Sequence, residues 1–362
     1  MRVVVCPDSF GGTLTAPAAA SAVAAGWRRA RPQDDVVEVP LSDGGEGLLD
    51  VLCAADPTWQ EQVTEVCGPN GHPRDARWLL RGDGTAVVES AEACGLRWVP
   101  EDRRTPMTAT TWGVGQLLAA AHAAGARRVL LGAGGSASVD GGTGALSGLG
   151  WRLTVEDGSG LKVGGADLHR VAGVGPGWRV DLADVDVVLL ADVRTPLHDA
   201  AATFGPQKGA GPEDVTLLAA ALRTWERVCV RDLGAPEALS SVPGTGAAGG
   251  LTYGLAAALG VEPTAGAPVV ADLVGLADAL ARAEIVVTGE GALDATSAEG
   301  KVLTEVLRRA AGAGTPVLVV AGRVDEVPDG VIDAEASAPA GAGSDPAAEV
   351  ADAAARLAGR RG

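Results

Sequence analysis

Short apolar runs recur along the chain and alternate with alanine-rich stretches, the pattern of an α/β protein. The runs predict strands over Val3–Cys6, Val36–Val39, Trp78–Leu80, Ala86–Glu89, Arg128–Leu131, Val187–Ala191, Ile285–Thr288 and Val317–Ala321. Several are apolar throughout, as strands covered on both faces should be. Between them, Ala19, Ala22, Val23, Gly26 and Trp27 share one face at helical spacing, and Arg28 and Arg29 follow where they suit the negative end of a helix dipole. Leu218, Ala221, Leu222, Trp225 and Cys229 form a second such face. Both stripes read as core. A last helix is expected near Ala348–Ala358, after a surface loop over Ala338–Ala347 that is rich in Pro, Ala, Gly and Ser. No internal repeat of fixed period appears, and no linker marks a domain boundary.

Composition narrows the class. The 362 residues suffice for about two domains at ~150 residues each. Apolar residues make up 47% and charged residues 21%, enough for a large core. No apolar run approaches the ~20 residues of a membrane span, and the run at Met1–Cys6 breaks at Pro7, too early for a secretory signal. A cytoplasmic protein that does not engage membranes is the expectation, as a monomer or homodimer. The formal charge of −17 repels phosphate backbones, so nucleic acid is not an expected partner. Five cysteines without a CxxC pair and four scattered histidines give neither a disulfide framework nor a histidine metal site. Lysine occurs only at Lys162, Lys208 and Lys301. A lysine that survives so strong a bias towards arginine is a candidate for work that needs a compact ammonium.

The predicted strand ends are rich in Gly, Asp and Ser, the position where open α/β sheets bind ligands. Asp8 and Ser9 follow the first strand, beside a possible helix cap at Thr13 or Thr15. Asp43, Gly44, Gly45 and Glu46 follow the second; the pair of glycines leaves backbone amides free to face an anion. Gly134, Gly135 and Ser136 follow Arg128–Leu131, with Asp140-Gly141-Gly142 close behind. This stretch also fits GxGxxA of a dinucleotide site, although the residues after it are poor helix formers. Asp192 ends a strand sixteen residues before Lys208. Last come the loop with Gly246, Gly249 and Gly250, and the segment Thr288-Gly289-Glu290-Gly291, read as a strand and carboxylate turn, with Asp294 and Gly300-Lys301 after it. Each segment alone fits a turn. Together, carboxylates, glycine loops and two lysines suit Mg²⁺-assisted phosphoryl transfer.

The motifs PDSF (7–10), PLSDGGEG (40–47), GAGGSASVDGG (132–142), FGPQKGA (204–210), PGTGAAGG (243–250) and TGEGALD (288–294) followed by Gly300-Lys301 occur in this order. The combination resembles the bacterial glycerate kinase family, of the type that forms 2-phosphoglycerate, over Arg2 to about Gly322. The resemblance implies a two-domain α/β fold. A Rossmann-like domain is built from residues 1–75 and 270–362, a second α/β domain over 76–269 is inserted, and the active site lies in the cleft. It also implies ATP, Mg²⁺ and a small hydroxy acid, D-glycerate, phosphorylated on its 2-hydroxyl; another small hydroxy acid or an impaired nucleotide-binding relative is the alternative. On this reading the catalytic residues are Asp192, Asp8 and Lys208. Ser9, Asp43, Gly44, Gly45 and Glu46 bind the acceptor. Gly134, Gly135, Ser136, Gly246, Gly249, Gly250 and Lys301 bind the nucleotide, and Asp192, Glu290 and Asp294 the metal. The chain departs from the family pattern at Gly11, usually Lys, at Ala292, usually Arg, and at Val139, usually Asn.

Overall fold

The first apolar run forms a strand because its residues alternate between two buried faces. In the computed structural model, which describes residues 1–293, 302–337 and 345–361, Val3 and Val5 face one core while Val4 and Cys6 face another. The strands, in chain order, are β1 (Arg2–Val5), β2 (Asp35–Glu38), β3 (Gln60–Cys67), β4 (Pro73–Leu80), β5 (Thr85–Glu89), β6 (Arg128–Ala133), β7 (Arg152–Thr154), β8 (Gly173–Gly175), β9 (Asp186–Ala191), β10 (Thr264–Ala265), β11 (Ile285–Leu293), β12 (Val317–Val324) and β13 (Val331–Ala336). The architecture is α/β, as expected, and each of the eight predicted strands is present.

The chain divides into two compact units. Unit 1 holds Met1–Asp43, Asp50–Pro57 and Ala267–Gly362; unit 2 holds Gly44–Leu49 and Thr58–Gly266.

Unit 1 is built on a wholly parallel sheet of order β13-β12-β11-β1-β2. The strand order reverses between β1 and β11. Helices Ala16–Ala30 and Pro346–Gly359 cover one face with Val23, Trp27, Val350 and Leu357. They approach closely: a Cβ on Gly26 would lie 2.0 Å from Ala351 O, so only glycine fits there. Thr15 caps the first of these helices, accepting from Ala18 N at 3.3 Å, and Arg28 and Arg29 stand in its last turn. Helix Val302–Ala313 covers the opposite face with Val302, Val306 and Ala310. The apolar alternation along β1, β11 and β12 is thus spent on the two faces of the sheet.

Unit 2 is built on a mixed sheet of order β10-β9-β6-β5-β4-β3. Its strands β5, β6, β9 and β10 run parallel, while β4 is antiparallel to both β3 and β5. Helix Pro212–Leu233 buries Leu218, Ala221, Leu222, Trp225 and Cys229, the stripe read from the sequence. Among the described residues no helix is long and apolar enough to cross a membrane. Of the loop expected over Ala338–Ala347, residues 338–344 lie outside the described residues.

One expectation needs correction. Gly289-Glu290-Gly291 is not a turn but part of β11, which stays paired to β12 as far as Leu293 opposite Val324. The glycines serve close approach instead: a Cβ on Gly289 would lie 2.3 Å from Val320 O and 3.1 Å from the Phe10 ring.

Candidate active site

In unit 2 the carboxyl ends of β6 and β9 carry the residues singled out above. A Cβ on Gly134 would lie 2.5 Å from Asp192 Oδ2 and 2.8 Å from Gly45 Cα. Glycine at 134 therefore lets the Asp192 carboxylate and the Gly44-Gly45 turn sit against the loop. Gly135, with φ of 62°, stands under Glu46, whose Oε2 would be 3.0 Å from an added Cβ. Gly44, Gly45, Glu46, Gly134, Gly135 and Asp192 come together from three distant stretches of chain.

Lys208 is tied to the same loop. It is 3% exposed, and Nζ donates to Ser136 Oγ at 2.9 Å and to Ser138 O at 2.8 Å. Burial pulls its ammonium down to about 8, while Cys94, Asp192 and Asp140 push it back up. The second glycine loop packs against the first. Gly246 N donates to Thr195 O at 2.9 Å, and a Cβ on Gly249 would lie 2.1 Å from Ser138 O. Ala248, Gly249 and Gly250 are consecutive left-handed residues, and Ala248 (φ 49°, ψ 37°) is the non-glycine residue with positive φ among those described. That conformation costs an L-residue roughly 1–2 kcal/mol. The glycines read as phosphate cradles thus have a packing duty as well.

Ser90, Glu92 and Arg97 escaped the sequence reading, and Asp140 and Glu46, which did not, gain partners that it could not supply. Ser90 Oγ donates to Gly134 O at 2.9 Å and accepts from Gly134 N at 3.1 Å, which fixes the loop. Asp140, fully buried, accepts from Thr111 N at 2.8 Å and Gly142 N at 3.1 Å; burial raises its carboxyl and these bonds oppose the rise. Arg97 pairs with both Glu46 and the buried Glu92, the latter at 2.8 Å, so Glu46 is an anchored carboxylate. Glu89 ends β5 at 1% exposure. Its Oε2 accepts from Leu49 N at 3.3 Å, and its Oε1 has no hydrogen-bond partner.

In unit 1 the ends of β1 and β11 meet where strand order reverses. Asp8 N donates to Gly289 O at 2.9 Å, and Thr288 Oγ1 donates to Cys6 O at 2.9 Å. Ser9 N donates to Asp8 Oδ1 at 2.6 Å. Burial, then the charges of Asp43 and Glu290, raise the Asp8 carboxyl to about 7, against the Ser9 bond. Asp8, Ser9, Asp43 and Glu290 form a second acidic set. Asp294 and Lys301 lie outside the described residues.

The profile of the Glycerate kinase family matches residues 3–358. The chain belongs to the glycerate kinase family. It is 38% identical over 340 residues to a Haemophilus influenzae protein named glycerate kinase, covering 92% of this chain and 89% of that one. It is 35% identical over 331 residues to a protein of Escherichia coli K12 named glycerate 2-kinase, covering 90% and 86%. A crystal structure named for a glycerate kinase 2 of Salmonella typhimurium LT2 superposes with a TM-score of 0.84 at 34% identity, covering 100% of this chain and 98% of that one. Membership makes the chain a kinase, a transferase of small-molecule substrates.

Two family departures gain a physical setting. Val139 is wholly buried in the core of unit 2, where its methyls pack. Gly11 takes φ of 45°, a left-handed conformation that suits glycine and would disfavour a lysine. Arg323, the nearest basic residue along β12, is engaged with Asp325 at 2.8 Å. Among the described residues no group of three or more His, Cys, Asp or Glu side chains forms a metal site. The donors present fit a metal of the Mg²⁺ type, which one or two carboxylates hold together with water and phosphate oxygens. Burial first, and then the negative charges of Asp43 and Glu290, raise the Asp8 carboxyl, and a cation beside these carboxylates would relieve the part due to charge.

Proposed function

We propose that the chain is an ATP-dependent, Mg²⁺-requiring cytoplasmic kinase that phosphorylates the 2-hydroxyl of D-glycerate and releases 2-phosphoglycerate and ADP. The observation that carries this reading is the meeting, in a glycerate kinase family chain, of Asp192, two glycine loops and the buried Lys208 at one set of strand ends. Asp192, with Asp8 as second candidate, accepts the proton of the 2-hydroxyl. The freed oxygen bonds to the γ-phosphorus as its bond to the bridging oxygen breaks and ADP leaves. A base so placed contributes about 10²–10⁴-fold.

Burial lowers the Lys208 ammonium, while the neighbouring Cys94, Asp192 and Asp140 favour its charged form. Lys208 holds the Ser136–Ser138 backbone in place and favours phosphate oxygens as a point charge. Backbone amides at Gly134, Gly135, Ser136, Gly246, Gly249 and Gly250 orient the phosphates, with Lys301 as a further cation. Ser9, Asp43, Gly44, Gly45 and Glu46 hold the acceptor. Mg²⁺, held by Asp192, Glu290 or Asp294, supplies neutralisation of the β- and γ-phosphate charge. A coupled assay of ADP release tests the reading. ADP should appear only when D-glycerate, ATP and Mg²⁺ are all present, and ADP release indifferent to glycerate would refute it.

A further inference from the structure

In unit 2 the residues after helix Ser90–Cys94 are laced to the first glycine loop. Ala137 N donates to Cys94 O at 2.8 Å, Leu96 N donates to Gly135 O at 2.8 Å, and Gly95 forms an antiparallel bridge to Ser136. Arg97 comes next along the chain, so its side chain starts from a fixed point beside the loop. The guanidinium lies over the Trp98 ring, 4.7 Å from its centroid, and Trp98 Nε1 donates to Ala91 O at 2.7 Å.

The guanidinium joins two unlike carboxylates. Its Nη2 donates to Glu92 at 2.8 Å and its Nη1 to Glu46 at 2.5 Å. Glu92 is buried and has a second cation, Arg77, at 3.1 Å. The Glu46 side chain is 47% exposed, stands among Gly44, Gly45 and Gly47, and among the described residues makes its ion pair with Arg97 alone. Arg97 thus ties a half-exposed carboxylate to a buried one.

Glu46 Oε2 would lie 3.0 Å from a Cβ on Gly135, in the loop against which Asp192 also sits. An ionised carboxylate only accepts hydrogen bonds. A hydroxy acid, itself an anion, offers it hydroxyls and no other donor, and the hydroxyl that is phosphorylated gives its proton to the base. A glutamate left free samples several rotamers and repels an anionic acceptor; a paired one is ordered in advance and its charge is offset.

We propose that Arg97 is a positioning residue of the acceptor site: it holds Glu46 where that carboxylate accepts from the hydroxyl of the acceptor that is not phosphorylated, and it offsets the Glu46 charge towards an anionic substrate. The inference rests on the kinase reading above.

The test is a double-mutant cycle in the full chain, with Arg97→Met and Glu46→Gln made singly and together, read by ADP release with D-glycerate and ATP each varied. Arg97→Met keeps an unbranched stem for Trp98 and leaves Glu92 its contact with Arg77. It should raise KM for D-glycerate at least about tenfold, the loss of a charge-assisted contact, and change kcat and KM for ATP by less than about threefold. In the Glu46→Gln background the same substitution should change KM for D-glycerate by less than about threefold, because the group it acts on is already altered. An unchanged KM for D-glycerate, or an equal rise in both backgrounds, overturns the proposal. So does a loss confined to kcat or shared by both substrates, which is what a general disturbance of the fold produces. Should Arg97→Met not fold, Arg97→Gln, whose amide gives Glu92 a donor, carries the same cycle with the same outcomes. A wild type that turns over no D-glycerate removes the kinase reading and this inference with it, whereas wild-type turnover with an indifferent Arg97→Met removes this inference alone.

Discussion

Replacing Glu89 by glutamine should change how stability depends on pH, more than it changes stability itself. Glu89 is 1% exposed at the end of β5, with one oxygen on Leu49 N at 3.3 Å and the other without a partner. Burial raises its carboxyl from 4.5 to about 7, with Glu92 adding to the rise and Gly47 N, Arg97 and Leu49 N opposing it. The folded protein therefore keeps a proton that the unfolded chain releases near 4.5. Between 4.5 and about 7 the native state binds more protons, so this residue's contribution is complete below 4.5 and is lost as pH rises through 7. The span corresponds to roughly 3 kcal/mol as an upper figure. Glutamine cannot ionise. It can still accept from Leu49 N, while its buried amide adds a pH-independent cost of about 1–3 kcal/mol. Urea unfolding of wild type and Glu89→Gln at several pH values from 4.5 to 8 isolates the slope from that offset. The variant's stability should gain on the wild type by about 2–3 kcal/mol across this range. A difference that stays flat with pH would refute the reasoning.

Other perturbations have equally definite outcomes. Asp192→Asn should lower kcat by about 10²–10⁴-fold while the melting temperature holds, and near-normal turnover would remove it as the base. Lys208→Met leaves Ser138 O and Ser136 Oγ without their buried donor; turnover should vanish and denaturant titration should show a loss of about 1–3 kcal/mol. Gly134→Ala would place a methyl 2.5 Å from Asp192 Oδ2, so kcat/KM should fall sharply in an enzyme whose far-ultraviolet dichroism is unchanged. Ala248→Gly relieves a left-handed alanine. Set against the greater freedom of glycine in the unfolded chain, it should leave a net gain of up to about 1 kcal/mol in thermal unfolding, and a loss would contradict the strain.

How far the fold could be read depended on burial. The eight predicted strands have apolar runs because most of them are covered on both faces. Strand β3 escaped because it lies at the sheet edge and alternates polar residues with a Val63 that is 59% exposed. Strand β13 escaped because it has no wholly buried position. The unit boundaries carry no linker: the chain passes from one unit to the other between Asp43 and Gly44, inside a motif, and again between Leu49 and Asp50, inside a helix. Glycine-rich motifs with their carboxylates identified the strand ends well, because chemistry there demands unusual residues. Glu89 and Ser90 were invisible for the opposite reason. They follow an ordinary apolar run, and their partners Leu49 and Gly134 lie 40 and 44 residues away.

Phosphorus-31 NMR of the reaction mixture bears most directly on the central claim of phosphoryl transfer to the 2-hydroxyl. With ATP, Mg²⁺ and D-glycerate, the γ-phosphate signal should decline in step with a new phosphomonoester signal that matches authentic 2-phosphoglycerate. A signal matching 3-phosphoglycerate, or free phosphate alone, would contradict it.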